Sequence, residues 1–452
     1  MLKYDDDYHE NSDFAIKRSV IPMNYLPLLR YKYFITGQTG DPSKVEDEYQ
    51  ARINSYTVQK TSLFPLLSFQ NRVQTSQYPI FFLPLPRIQN LADQLRRNSN
   101  QIKQIVATLP KVAIDQFSNS LLLSEIFYTN DIEGVRTSQV EISTVIQENN
   151  HGTDDDYVSP HRLGSTIKMY QRTQKGAKVQ ITTLTDWRQI YDSLLYGEID
   201  QSRQPNGKLF RDQLPNGEML TIGNGSQVVH RPPVSEEAIQ AALSALTNYM
   251  NDDETPAIYK ALVTHFFFEN THPFLDGNGR MGRYLLSTYL SNQFDHFTGF
   301  SVATAIHSNI QQYYKIFRET DRAENRADLT FFIERLLKIL TDQQSNLIER
   351  MMRSKAQLNK AHWLNQSWVQ EKQGQLLLPA DLYLHLLDVL AQSELFTNRI
   401  DLGIKDNDIL AKLKKDYGHP KTKLRAAISQ LEQLGAIKLI AKRPKQHLLN
   451  II

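Results

Sequence analysis

The sequence contains no cysteine in 452 residues. Disulfide bonds, zinc–thiolate centres and cysteine nucleophiles are therefore excluded, and the composition fits a reducing cytoplasm. A formal net charge of +2 gives no global attraction to nucleic acid or membranes, so any such preference must be local. The acidic N-terminus MLKYDDDYHENSDF does not have the pattern of a secretory signal, and the apolar run YPIFFLPLP is too short and too rich in proline to span a bilayer. We expect a soluble, cytoplasmic, multidomain protein without a membrane segment.

Most of the chain has the periodicity of helices. Residues 1 to about 90 are instead rich in tyrosine and punctuated by proline, which predicts short strands or irregular packing. Two amphipathic helices follow, and the second, AIDQFSNSLLLSEIFYTNDIEG, ends at Gly134. Asn224-Gly225 predicts the turn of a hairpin over 219–230, and a long amphipathic helix is predicted over 327–352. The predicted units are an N-terminal extension of uncertain fold (1–90), a helical region (91–160), a core (161–345), a helical linker (346–376) and a C-terminal unit (377–452).

The C-terminal unit has the pattern helix, helix, helix and two short strands, which is the order of a winged helix-turn-helix. Its last part is basic, with seven lysines and arginines against one acid, Glu432, from Pro420 onward. A DNA backbone is one partner that this charge would suit. The same unit could equally serve protein interaction or dimerisation, and a charge run is often only a solvated surface. The seven cations are Lys421, Lys423, Arg425, Lys438, Lys442, Arg443 and Lys445.

The stretch HPFLDGNGRMGR, residues 272–283, interrupts two apolar helical patterns. Pro273 cannot continue the preceding helix, and Gly277-Asn278-Gly279 permits a tight turn. Because helical periodicity resumes directly afterwards, the glycines lie at a helix N-terminus, where free N–H groups and the helix dipole favour an anion. A lone GNG is more often an ordinary turn, as we expect for the second copy at 223–225.

The other side chains of this stretch suit phosphate chemistry. Arg280 and Arg283 lie one helical turn apart and can make bidentate contacts with phosphate oxygens. Asp276 is a hard oxygen ligand suited to a Mg²⁺ ion that bridges phosphates. His272 is the group that can accept a proton near neutral pH. Together they predict phosphoryl or nucleotidyl transfer to a hydroxyl group.

The stretch matches the Fic-family signature HPFx[DE]GNGRxxR at every defined position, and the resemblance extends over roughly residues 110–345. It implies a mainly α fold with a Fic-type helical core and a β-hairpin flap, here joined to the N-terminal extension and the winged helix domain. It also implies AMP transfer from the co-substrate ATP, with Mg²⁺, to a Ser, Thr or Tyr hydroxyl of a target protein or of the chain itself. His272 would be the catalytic base and Asp276 the metal ligand, with the Asn278 side chain on the α-phosphate. The implied nucleotide-binding residues are Gly277, Asn278, Gly279, Arg280, Gly282 and Arg283.

The segment TNDIEG, residues 129–134, has its own electrostatic signal. Glu133 stands in the last turn of its helix, where the helix dipole disfavours a carboxylate, so a cationic partner from elsewhere is expected. The segment also resembles the family's inhibitory motif [S/T]xxxE[G/N] through Thr129, Glu133 and Gly134. That resemblance implies that Glu133 pairs with Arg283 and keeps the γ-phosphate from binding productively. The alternative is an ordinary surface glutamate before a helix-ending glycine.

Other functions and partners stay open at this level. The same site could remove AMP from modified proteins, with Glu133 helping to activate water. The chain could instead be a DNA-binding regulator whose core only senses nucleotide, although a sensor has no need for His272. The hairpin over 219–230 could hold a target peptide by strand addition or simply pack. The helix over 327–352 and the winged helix are each able to support a homodimer.

Overall fold

The protein is mainly helical. The structure, a computed structural model, describes residues 25–34, 42–69, 73–150, 157–214, 220–224, 227–397 and 403–450. The helices are α1 (Leu28–Phe34), α2 (Pro42–Ile53), α3 (Pro86–Val106), α4 (Lys111–Ile132), α5 (Gln139–Asn150), α6 (Gly164–Gln174), α7 (Leu184–Leu194), α8 (Glu236–Asn251), α9 (Ala257–Thr271), α10 (Asn278–Gln293), α11 (His296–Gly299), α12 (Val302–Ser308), α13 (Ile310–Thr320), α14 (Thr330–Glu371), α15 (Ala380–Phe396), α16 (Asp406–Tyr417) and α17 (Lys421–Gln433). The strands are β1 (Gln59–Lys60), β2 (Leu67–Phe69), β3 (Val73–Thr75), β4 (Phe81–Phe82), β5 (Ile222–Asn224), β6 (Gln227–His230), β7 (Ile437–Lys442) and β8 (Lys445–Leu449).

The strands form small antiparallel pairs. Within the described part of the chain, the pairs are β1 with β4, β2 with β3, β5 with β6, and β7 with β8. None of these pairs builds a layer of its own, so packing between helices determines the architecture. The predicted mainly α fold is confirmed. Among the described residues, no helix combines the length and the apolar character needed to cross a bilayer.

Helix α9 lies at the centre of the larger core. Its sequence AIYKALVTHFFFENT is apolar on nearly every side, and almost all of its residues are buried. A helix that is apolar all round must be surrounded by other elements. Helices α8, α10 and α14 pack against it, and α10 also contacts α4, α6 and α12. The loop 272–277 between α9 and α10 is therefore supported on both sides by buried helices.

The N-terminal region packs into this same core. Short strands or irregular packing were predicted there; the structure has the short strands β1 to β4, and also α1 and α2, which were not predicted. The Asn270 side chain of α9 accepts a hydrogen bond from the Leu66 N–H at 3.0 Å and donates one to the Leu66 carbonyl at 2.8 Å. Phe81 in β4 pairs with Asp328 just before α14. These short strands are stable because they pack on the helices rather than on one another.

Helix α4 ends as its sequence predicts. Glu133 is the C-cap residue, and Gly134 has a φ of +69°, which glycine adopts without a steric penalty. The Gly134 N–H donates to the Asp131 carbonyl at 3.0 Å, and the Val135 N–H donates to the Asn130 carbonyl at 2.9 Å. This pair of bonds is a Schellman motif, which satisfies carbonyls that the helix itself leaves free. It fixes the backbone at Glu133, where the chain departs from the helix.

Three predicted helix ends differ from those in the structure. Helix α14 begins at Thr330 rather than near residue 327, because Arg326 and Ala327 have φ values of +53° and +57° that a right-handed helix excludes. It then continues to Glu371 as one helix of 42 residues, beyond the predicted helix end at residue 352. No glycine or proline occurs between its ends to stop it. Helix α3 begins at Pro86, inside the predicted extension, with proline in the first turn where its missing N–H costs nothing.

The C-terminal unit has its own core. Helices α15, α16 and α17 pack together and are followed by the β7–β8 hairpin, with Leu386, Leu413 and Leu424 fully buried between them. Val369 from the end of α14 and Val112 from the start of α4 also belong to this cluster. The unit is thus continuous with the long helix and touches the helix that carries Glu133.

Candidate active site

The loop between α9 and α10 begins and ends with left-handed residues. His272 caps α9 with a φ of +48°, and Gly277 precedes α10 with a φ of +82°. A positive φ is strained for histidine and occurs where the surroundings enforce it. At position 277 an added Cβ would lie 2.3 Å from Cδ1 of Leu195, so both the backbone and the space require glycine. The chain thus reverses sharply and presents the N-terminus of α10 beside His272.

Asn278 holds this loop in shape. Its Oδ1 atom accepts a hydrogen bond from the Phe274 N–H at 2.9 Å, and its Nδ2 atom donates to the Phe274 carbonyl at 2.8 Å. Phe274 itself is fully buried and stacks on Tyr191 with 3.7 Å between ring centroids. The predicted contact of the Asn278 side chain with the α-phosphate stays a prediction, because these two bonds leave one Nδ2 proton unused.

Arg211 supports the loop from the other side. This buried arginine donates to the His272 carbonyl at 2.7 Å through Nε, and its backbone N–H donates to the Pro273 carbonyl at 3.0 Å. Its positive charge lies at the C-terminus of α9, where the helix dipole favours a cation. Sequence reasoning missed Arg211, because nothing in its local sequence indicates that it reaches a loop 61 residues later.

The ring of His272 faces a cavity of about 370 Å³. Burial, together with the neighbouring charges of Arg211 and His230, lowers its pKa to about 3. The imidazole is therefore neutral at pH 7 and has a lone pair available to accept a proton. His230, at the end of β6, closes this side of the cavity through hydrogen bonds with Asp321 and with the Asn270 carbonyl, each at 2.8 Å.

The N-terminus of α10 meets the carboxylate of Glu133. A Cβ added at Gly279 would lie 2.1 Å from Oε1 of Glu133, so the absence of a side chain at 279 admits this carboxylate. Free N–H groups and the positive end of the helix dipole make such a position favourable for an anion. The predicted anion-binding position is therefore in contact with a carboxylate of the chain itself.

Arg283 completes the anion-binding surface, and its hydrogen-bond partners among the described residues lie on α4 and at its C-cap. Its Nη2 atom donates to Glu133 Oε1 at 2.7 Å and to the Thr129 carbonyl at 3.0 Å, and its Nε atom donates to Thr129 Oγ1 at 2.8 Å. The guanidinium is 2% exposed and Glu133 is 32% exposed. The predicted regulatory residues Thr129 and Glu133 thus meet the predicted phosphate-binding Arg283, while Gly134 ends the helix that carries them.

Arg280 has a different set of partners. It donates to Glu198 Oε2 at 3.1 Å and to Asp276 Oδ1 at 3.4 Å. Asp276 also pairs with the exposed Arg203 at 3.1 Å. In this state Arg280 shapes the loop through Asp276 instead of facing the cavity. Glu198 was not predicted, because a buried carboxylate 82 residues before its partner leaves no local pattern.

Gly282 has a packing role in this structure, and its predicted nucleotide contact stays a prediction. It does not line the cavity of His272, and an added Cβ would lie 2.1 Å from Oε1 of Glu269. Glu269 is half-buried at the edge of the cavity. Burial, opposed by Arg283 and assisted by Glu133, raises its pKa to about 8. Gly282 therefore makes room for a carboxyl that is protonated at neutral pH. A glutamate within the apolar run FFFEN was the sequence signal for this missed residue.

The cavity brings most of the predicted chemistry together. His272, Gly279, Arg283 and Glu133 line it, along with residues from the β5–β6 hairpin and α13. Asp276, Gly277 and Arg280 lie beside it in the loop and the first turn of α10. The hairpin was predicted with its turn at Asn224-Gly225, of which Gly225, like Met219, lies outside the described residues.

Residues 181–290 match the Fic/DOC family, so this segment is a Fic/DOC domain. In structural comparison the chain is similar to a Fic family protein from Desulfovibrio desulfuricans G20, with a TM-score of 0.45, 17% identity, and coverage of 81% of this chain and 96% of that one. It is also similar to Fic-1 (residues 134–508) from C. elegans, with a TM-score of 0.39, 17% identity, and coverage of 60% and 74%. A third similar structure is a Fic domain-containing signaling protein from Bacteroides thetaiotaomicron VPI-5482, with a TM-score of 0.35, 15% identity, and coverage of 58% and 97%.

Proposed function

We propose that the protein transfers AMP from ATP to a hydroxyl side chain of a target protein, and that Glu133 holds it in a resting state. The observation that carries the proposal is the contact of the Glu133 carboxylate with both Gly279 and Arg283, inside the cavity that His272 lines. A helix N-terminus and a buried arginine that already hold one anion are suited to hold phosphate oxygens. The neutral histidine beside them is the group that can take the proton.

The proposed step is an in-line displacement at the α-phosphorus. His272 accepts the proton of the target hydroxyl, the hydroxyl oxygen forms a bond to the α-phosphorus, and the bond to the β-phosphate oxygen breaks to release pyrophosphate. Bound phosphates are negatively charged, so they favour the imidazolium and move the low pKa of His272 toward its ordinary value. Gly279 and Arg283 stabilise the phosphate oxygens on which charge accumulates.

The residues present fit a Mg²⁺ ion that arrives with the nucleotide. Asp276 contributes one partly exposed carboxylate, and the described residues place no group of three ligands around it. Magnesium characteristically binds through one or two carboxylates together with substrate phosphates and water. When bound, the ion would neutralise charge on the phosphates. For Asp276 to bind it, the contacts with Arg203 and Arg280 must loosen.

The resting state follows from the competition for Arg283. The guanidinium has its Nε and Nη2 donors on Thr129 and Glu133, so a γ-phosphate reaching Arg283 must displace the carboxylate. Two anions cannot occupy the same contact without strong repulsion. Because Glu133 stands at a helix end, it can leave by a change at the Schellman turn while α4 stays packed.

Incubation with labelled ATP and Mg²⁺ tests the proposal. We expect weak self-labelling of the wild type, at least about tenfold stronger labelling of Glu133→Gly, and a loss of about 10²- to 10⁴-fold when His272→Ala is added. Asp131→Ala is the matched control, because this carboxylate lies on the same turn of α4 but pairs with His307. Equal labelling of Glu133→Gly and Asp131→Ala would contradict the resting-state proposal. If no variant is labelled and the wild-type protein removes AMP from a modified target protein, the removal reaction is favoured instead.

The C-terminal unit supports a second candidate activity, DNA binding. All seven predicted cations are exposed and lie at the start of α17 or on the β7–β8 hairpin. Cations on a helix and an adjacent hairpin suit the backbone of a duplex. A mobility shift of duplex DNA that weakens steeply with salt, and weakens further in Lys421→Ala/Lys423→Ala, is the expected result. If this variant binds DNA with the affinity of the wild type, the proposal that these cations bind DNA is contradicted.

A further inference from the structure

Two histidines and an aspartate meet between α15 and the turn that joins α16 to α17. Asp381 and His385 are four residues apart on α15, so they lie on the same face of the helix. His419 comes from the turn, and its Nε2 atom lies 3.0 Å from Nδ1 of His385. One ligand atom from each of the three side chains lies within 4.8 Å of the others.

The backbone holds His419 in this place. Gly418 ends α16 with a φ of +70°, and Pro420 is the N-cap residue of α17, so the residue between them has little conformational freedom. The ring of Tyr417 stacks on that of His385 with 3.8 Å between centroids and 18° between planes. Both imidazoles are therefore oriented by their neighbours before any ligand binds.

The short distance between the two ring nitrogens requires something between them. Two lone pairs facing each other at 3.0 Å repel, so either one ring donates an N–H to the other or both lone pairs point to a metal ion beside that line. Neutral imidazoles can form either arrangement, and the neutral form is the one that binds metal.

We propose that Asp381, His385 and His419 bind a divalent transition metal ion of the zinc type. Zinc binds histidine nitrogen at about 2.0–2.1 Å, which separates two nitrogens on one tetrahedral ion by about 3.4 Å, so the two rings need to move apart by only a few tenths of an ångström. Asp381 is exposed, which leaves its side chain free to rotate toward the ion. Two imidazoles and one carboxylate suit Zn²⁺, Co²⁺, Ni²⁺ or Cu²⁺ rather than Mg²⁺ or Ca²⁺.

The bound ion would connect the first turns of α15 to the turn before α17. Lys421 and Lys423 follow that turn directly and are exposed. Fixing the turn fixes the start of α17, so metal would set the orientation of the basic surface relative to α15. The inference is independent of AMP transfer, since none of its residues lines the cavity of His272.

Titration of the full-length, chelator-treated protein with Co²⁺ tests the site, with no nucleotide present. We expect one equivalent to bind with the visible absorption of four-coordinate Co²⁺, and Zn²⁺ to displace it. Loss of an outer partner of a metal ligand weakens binding by about 10- to 100-fold, so loss of a ligand in His385→Ala or His419→Gln should weaken it at least as much. Zn²⁺ should also raise the Tm of the wild type and not of His419→Gln.

Two controls separate this site from others. His362→Gln removes a histidine that pairs with Asp388 at 2.7 Å on the neighbouring face and should bind Co²⁺ as the wild type does. Asp276→Asn removes the candidate magnesium ligand and should also bind normally. If His385→Ala does not fold, as judged by circular dichroism, the test rests on Co²⁺ binding by His419→Gln, whose substitution lies in the turn between α16 and α17. The proposal would be overturned if the wild type showed no visible absorption of four-coordinate Co²⁺. It would also be overturned if a folded His419→Gln bound Co²⁺ with unchanged affinity.

Discussion

Arg280 and Arg283 lie one turn apart on α10 and are both almost fully buried, yet their partners come from different parts of the chain. Arg280 binds Glu198 and Asp276, both within the segment 181–290 that matches the Fic/DOC family. Arg283 makes its three bonds to Thr129 and Glu133, which lie outside that segment and about 150 residues upstream. Glu198 is 3% exposed, whereas Glu133 is 32% exposed.

The difference distinguishes a structural ion pair from one that can open. Breaking the pair of Arg280 leaves Glu198 without its counter-ion in the interior, so that contact persists for as long as the domain is folded. Glu133 borders solvent and stands at the end of α4, so it can exchange a buried partner for water at modest cost. We therefore infer that Arg280 maintains the shape of the loop, while Arg283 is the arginine available to a ligand.

The largest expected effect is on stability at Arg280. Arg280→Ala leaves Glu198 unpaired and buried, and we expect a loss of about 3 to 5 kcal/mol in the free energy of unfolding, measured by urea denaturation. Arg203→Ala is the matched control, because this arginine binds the same Asp276 but is 66% exposed. It should cost less than about 1 kcal/mol. Similar losses in the two variants would remove the distinction between structural and surface pairs at this loop.

A second prediction concerns the charge available to Arg283. Glu269 lies next to Arg283, but burial raises its pKa to about 8, so it is protonated at neutral pH and leaves Glu133 as the counter-ion. In the unfolded chain this carboxyl titrates near 4.5. Between these two values the unfolded state loses a proton that the folded state keeps, so stability falls as pH rises from about 4.5 to 8.

Glu269→Gln removes that titration. We expect the Tm of the variant relative to the wild type to rise by a few degrees between pH 5 and pH 8. Glu237→Gln, at an exposed position, provides the control for a general effect of losing one carboxylate. A difference between Glu269→Gln and the wild type that does not change with pH would show that Glu269 is ionised in the folded protein. Arg283 would then have a permanent counter-ion, as Arg280 has.

The local part of this site could be predicted from the sequence. Pro273 and Gly277 interrupt the helical pattern in a short stretch, so the end of α9, the loop and the start of α10 follow from backbone preferences alone. The same holds for Gly134, whose position marks the end of α4. The dipole argument at Glu133 also indicated that a cationic partner must come from another element, although only the family resemblance identified it as Arg283.

Contacts made by tertiary packing could not be predicted in this way. Glu198, Arg211 and Glu269 lie in unremarkable local sequences, and their roles come from what surrounds them in the folded core. The late start of α14 has the same origin, because Arg326 and Ala327 adopt left-handed conformations that their residue types do not favour. The sequence likewise did not indicate that Asn278 bonds its own loop or that Gly282 accommodates Glu269.

The smallest predicted effect is at Thr129, and it separates the two halves of the contact with Arg283. Thr129→Val removes the hydroxyl that accepts from Arg283 Nε at 2.8 Å while keeping the shape of the side chain and the bond that Arg283 donates to Glu133. A buried N–H left without a partner costs about 1 to 3 kcal/mol. The resting state should weaken, so labelling by ATP should increase severalfold but remain below that of Glu133→Gly. Thr144→Val, at an exposed position on α5, controls for the substitution and should label as the wild type does. If Thr129→Val is labelled to the same extent as the wild type while Glu133→Gly is labelled more strongly, the carboxylate alone keeps Arg283 in the resting state. The Thr129 hydroxyl then serves only as a hydrogen-bond acceptor for the buried Nε–H group of Arg283.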